Sequence, residues 1–214
     1  MSNAVLSRSD GPPSAVRNAT WVAAAVLAAW LTVVLFLGAG GAFVTPPGAP
    51  PFRILIGVMA PIIAFFAAFR VSRAFREFIA AADLRLVTAI QAWRVAGFGF
   101  LALYSYGILP GVFAWPAGLG DMAIGATAPW IVISIIRRPG FAASRSFRVW
   151  NLLGILDLVV AVGIGALSSG LAAGIPGEIT TGPMALLPLV LIPAYLVPFF
   201  IMLHFTALYQ ARRR

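Results

Sequence analysis

The stretch P-G-V-F-A-W-P-A-G-L-G-D-M-A-I-G, Pro110 to Gly125, decides how this chain is threaded. It carries no charge before Asp121, and proline and glycine sit at both ends. Read as loop, it closes a span before it and lets the next begin at Asp121. Proline and glycine punctuate turns, and an aspartate at a helix start accepts hydrogen bonds from the first free amides and complements the dipole. On that reading Gly118 and Gly120 provide the turn and Asp121 caps the following helix. An uncharged loop needs its backbone covered, so residues 110–120, with Trp115, are expected to dip into the outer leaflet as a short re-entrant segment.

The rest of the chain is of one kind. Its 214 residues are 61% hydrophobic and 10% charged, with a mean hydropathy of +0.98. Soluble domains are about half apolar and a quarter charged, so this is the composition of an integral membrane protein. A helix needs about 20 apolar residues to cross the hydrocarbon. Six such stretches occur, near Ala19–Gly41, Phe52–Phe69, Leu84–Leu109, Asp121–Ile136, Val149–Leu167 and Ala185–Gln210. The expected fold is all-α, a polytopic transmembrane bundle of six spans. Residues 1–18 form a tail expected to be disordered, 19–211 a single membrane domain and 212–214 a basic end. The first span is long for the apolar core of a cleaved signal, so it is read as retained.

Arginine sets the expected orientation. All fifteen basic residues are arginine. They cluster before span one, between spans two and three, between spans four and five, and at the end of the chain. Those segments fall on one side of an alternating path, which the positive-inside rule makes cytoplasmic, with both termini there, in a bacterial-type inner membrane. Arginines distributed this way contact anionic lipids rather than nucleic acid, despite a formal charge of +9. Between spans two and three, Val71, Phe75, Phe78, Ile79, Ala82 and Leu86 recur at helical spacing opposite Arg73, Arg76 and Glu77. That pattern predicts an amphipathic helix at the interface.

The chain has no cysteine and no lysine, and His204 is its only histidine. Thiolate metal sites, lysine Schiff bases and lysine-dependent phosphate loops are therefore excluded, and no metal or cofactor is expected. Ionisable groups inside spans are costly and mark interior positions. Arg94, Asp157 and His204 each lie about 12 to 14 Å inward from a boundary arginine, counted at about 1.5 Å per residue. An Arg94–Asp157 pair with His204 and Gln91 beside it is the expected arrangement. It reads either as a buried ion pair fixing helix register or as a site for protons or a small anionic or weakly polar solute. Pro188, Pro193 and Pro198 invite kinks in span six.

Gly118 to Asp121 resembles the GxGD motif of the presenilin and prepilin-peptidase families of intramembrane aspartyl proteases. The resemblance covers these four residues and the helix after them, and it implies a second aspartate sharing a proton with Asp121. In those families the partner comes earlier in the chain; here the earlier candidate, Asp83, is expected at the cytoplasmic edge, and Asp157 follows. A span beginning at Asp121 also sets it about 10 Å above Asp157 along the membrane normal. The favoured expectation is a transporter or permease, more a carrier than an enzyme, working as a homo-oligomer or within a larger complex. The main alternative is a non-catalytic accessory subunit holding a lipid, quinone or pigment.

Overall fold

A computed structural model describes residues 14–46, 49–171 and 178–213, and these form helices and connecting turns without a strand among the described residues. Six helices are long and apolar enough to cross a membrane, the property of a multi-pass membrane protein. They are span one (Ser14–Ala39), span two (Phe52–Val71), span three (Leu84–Ser105), span four (Gly111–Arg137), span five (Arg145–Leu171) and span six (Ile192–Ala211). Of the tail expected over 1–18, residues 1–13 lie outside the described residues, and helix begins at Ser14.

Buried clusters fix the order of the ends. Leu84 and Val87 from the start of span three pack with Ala142, Phe147 and the Ala207–Ala211 end of span six. Phe100 and Leu109 pack with Phe113 and Ala114 of span four and with Met184 before span six. Spans three to six therefore run up and down, which gathers Arg85, Arg137, Arg138 and Arg145 at one end. Val34 and Phe43 join Val190 and Ala194 at the other end.

The linker between spans two and three holds a helix over Arg73–Ala81, shorter than the expected run, with Val71 in span two and Leu86 in span three. Ser72 accepts a hydrogen bond from the Phe75 amide at 3.1 Å and caps a helix over Arg73–Ala81. Arg76 donates to the Phe69 and Arg70 carbonyls, each at 2.9 Å, satisfying the open end of span two. Gln210 donates to the Ile79 and Ala82 carbonyls at 2.9 Å and ties the linker helix to span six.

The stretch Pro110 to Gly125 does not fold as a re-entrant loop with a capping aspartate. Pro110 stands at the N-cap and one helix runs unbroken from Gly111 to Arg137, with Asp121 well inside it. In hydrocarbon an uncharged loop must find partners for every amide and carbonyl, and a helix provides them internally. Pro116 and Pro129 are accommodated within it.

Two other spans depart from regular α-helix. Span three changes to 3-10 geometry over Ile90–Gly97 before resuming at Phe98. Span six begins at Ile192, seven residues later than the expected Ala185, and its first turn is a π-helix over Ile192–Leu196. Pro188 therefore precedes the helix, Pro193 sits in the π segment and Pro198 begins the regular part.

Candidate functional site

The 3-10 segment positions the first half of the site. At three residues per turn, side chains three apart stand directly above one another. Gln91, Arg94 and Gly97 are the buried residues of this segment and form one inward stripe. The Arg94 side chain is fully buried. Such a cation needs partners, because desolvating an unpaired charge costs several kcal/mol or more.

It has four partners, drawn from three spans. Arg94 Nε donates to Asp121 Oδ1 of span four at 2.7 Å. Its Nη2 donates to Asp157 Oδ2 of span five. Its Nη1 reaches the Gly154 carbonyl at 3.3 Å and His204 Nε2 of span six at 3.1 Å. The expected meeting of Arg94, Asp157 and His204 is present, and Gln91 lies one 3-10 turn away, donating to the Phe200 carbonyl at 3.4 Å. Its Oε1 is buried with no hydrogen-bond partner among the described residues.

Asp121 was expected near the outer face, away from any carboxylate. Because span four begins at Gly111, Asp121 lies about 15 Å along that helix and meets the same guanidinium as Asp157. The separation that argued against a GxGD pair is thus absent. The pair is nevertheless unlike a protease dyad, which needs two carboxylates sharing one proton directly. Here both are bonded to one cation, Asp121 through Arg94 Nε and Asp157 through Nη2.

The glycines of the motif serve this approach rather than a turn. A Cβ on Gly118 would press on the Gly97 carbonyl of span three, and one on Gly97 would meet Asp121. A Cβ on Gly120 would overlap the Asp157 carboxylate, one on Gly125 the Arg94–Val95 backbone, and one on Gly154 the His204 ring. Small residues permit close helix approach in membranes, and these five surround Arg94. Trp115, assigned to the loop, stands half-exposed on span four with its ring 6.1 Å from Tyr104.

His204 is held by a directional chain. The Phe147 carbonyl can only accept, so it takes the Asn151 amide at 2.9 Å and leaves Asn151 Oδ1 as acceptor for His204 Nδ1 at 2.9 Å. The Nδ1–H tautomer follows, with Nε2 accepting from Arg94. A proton on Nε2 would set one donor against another. His204 is thereby suited to positioning the guanidinium. Trp150 packs 5.5 Å from the His204 ring and donates to Thr127 at 2.9 Å. Neither Trp150 nor Thr127 was singled out in the sequence.

Two cavities meet at this cluster. One, of about 530 Å³, lies between spans three and six and is lined by Trp93, Arg94, Phe100, Asp121, Phe199 and Phe200 among others. The second, of about 140 Å³, extends toward the end opposite the arginines, past Val44, Thr45, Thr181 and Gly182. Phe100, Asp121, Leu158, Ile192 and Val197 line both. No group of three or more histidine, aspartate or glutamate side chains with metal-binding spacing occurs among the described residues.

Residues 51–212 match the model of a domain of unknown function, DUF8737, and the chain belongs to that family. No curated protein and no solved structure matches it. Membership therefore carries the fold unit but no activity.

Proposed function

We propose that this chain is a permease-type protein in which protons cross the bundle through the cluster of Asp121, Arg94 and Asp157. One observation carries the reading: Asp121, ion-paired to a fully buried arginine, forms part of the wall shared by two cavities. A buried ion pair that served packing alone would stand in a closed interface. Charge counting supports the same reading. One guanidinium balances one carboxylate, so with both carboxylates ionised the cluster needs a further positive charge, most simply a proton. Asp121 Oδ2 takes no hydrogen bond among the described residues and is the natural site for it.

In this reading Asp157, packed against Gly120, keeps Arg94 in place while Asp121 gains and loses the proton toward either cavity. The arginine-rich end faces the cytoplasm of a bacterial-type inner membrane, where anionic headgroups meet it. A simple anion is disfavoured as the solute, because the Arg94 nitrogens are already engaged by protein acceptors. The largely apolar wall of the larger cavity favours a second reading, an accessory subunit holding a lipid or quinone there.

Proteoliposomes loaded with a pH-sensitive dye test the proposal. Wild-type protein should dissipate an imposed pH gradient, in plain buffer or with small amines, organic cations or weak acids added. Asp121→Asn should slow this at least about tenfold. Equal rates in wild type, Asp121→Asn and protein-free vesicles under every condition would refute it. A co-purified lipid or quinone lost in Asp121→Asn would then favour the second reading.

A further inference from the structure

We infer that the pocket between spans three and six binds a lipophilic organic cation or amine, which exchanges with the proton on Asp121. The inference rests on the proton path above and names what travels against it. The pocket, about 530 Å³, falls within the range of small-molecule sites, about 300 to 1,000 Å³. Its walls supply aromatic rings from Trp93, Phe100 and Phe199 and aliphatic surface from Leu103 and Leu196, while the Phe200 ring already faces the Arg94 guanidinium at 5.8 Å. Such walls exclude a strongly hydrated solute and attract an apolar body, and ring faces favour positive charge. The charged groups among its lining residues are Arg94 and Asp121.

The two groups are not equally available. Arg94 Nε is spent on Asp121, Nη1 on Gly154 and His204, and Nη2 on Asp157. Asp121 retains an oxygen without a hydrogen bond among the described residues, with about a sixth of its side chain, 17%, exposed. The surplus charge of the cluster is negative, with Asp157 from span five and neutral His204 from span six as the other groups facing Arg94. An ammonium or phosphonium in the pocket would balance it as a proton does. The two would therefore exclude one another. No atom need be oxidised or reduced, since the exchange is one cation for another.

Tetraphenylphosphonium and tetraphenylborate have nearly the same shape and opposite charge, which makes them the probes. Binding to the purified full chain in detergent, followed by equilibrium dialysis and by tryptophan fluorescence, should favour the phosphonium at least about tenfold and release protons into weak buffer. Asp121→Asn should weaken phosphonium binding at least about tenfold. Gly99→Trp provides a second variant, since Gly99 lines the pocket and a Cβ there meets nothing within 4 Å. It should fill the pocket, leave the protein folded and abolish binding. Tetraphenylborate binding equally well, or phosphonium binding unchanged in Gly99→Trp, would overturn the inference. Charge-selective binding without proton flux in vesicles would overturn the transport reading and leave the site standing; flux without phosphonium binding would do the reverse.

Discussion

Replacing Gly120 with alanine separates a packing role from a turn role for the G-L-G-D segment. A Cβ at this position overlaps the Asp157 carboxylate that Arg94 holds, so the aspartate must leave its place or spans four and five must part. Overpacking costs about 1 to 3 kcal/mol, and breaking a buried ion pair about 3 to 5. Arg94 keeps Asp121, which limits the loss, and alanine favours helix over glycine by about 0.5 to 1 kcal/mol. The net expectation is destabilisation by about 2 kcal/mol. Equilibrium unfolding in mixed micelles, read by tryptophan fluorescence, measures it. Gly163→Ala is the control, because a Cβ there meets nothing within 4 Å; it should be neutral or slightly stabilising. The decisive measurement is a double-mutant cycle. In an Asp157→Ala background Gly120→Ala should cost little, giving a coupling of about 2 kcal/mol. Strictly additive energies would show that Gly120 does not act through Asp157 and would refute the reasoning.

The remaining outcomes concern two sets of buried hydrogen bonds and one exposed ion pair. In nitrogen NMR spectra His204 should appear as the neutral Nδ1–H tautomer, and Asn151→Leu should destabilise the protein by about 1 to 3 kcal/mol and mix the tautomers; a dominant Nε2–H signal in wild type would contradict the assigned chain. Gln210→Leu should raise amide exchange across the Arg73–Ala81 helix, whose C-terminal carbonyls at Ile79 and Ala82 lose their donor, while Arg73→Ala, breaking an exposed pair to Glu77, should change stability by less than about 0.5 kcal/mol.

The six spans were legible because hydropathy is a local signal. The pairing of Arg94 with Asp157 was legible for a related reason. Spans three and five start from the same end, so equal counts from Arg85 and Arg148 give equal depth. Asp121 was not legible, because glycine has two meanings. Between soluble elements it marks a turn, whereas within a membrane bundle it marks backbone contact, and only the neighbours of Gly118 and Gly120 tell the two apart. The error of ten positions in the start of span four moved one carboxylate out of the site. The cavities were invisible for another reason: they depend on gaps between spans, and no single segment encodes those.

The overwound segment of span three has a geometric consequence for everything beyond it. Eight residues, Ile90–Gly97, advance at about 2.0 Å and 120° each instead of 1.5 Å and 100°. The upper part of the span is thereby carried about 4 Å further and turned about 160° relative to a uniform α-helix. A wheel drawn with one pitch from Leu84 to Ser105 thus falls out of phase by almost half a revolution. Phe100, three residues beyond the segment, meets Phe113 at 5.4 Å. The facing of the rings above Arg94, Phe100 included, is therefore set by the winding of the segment below them.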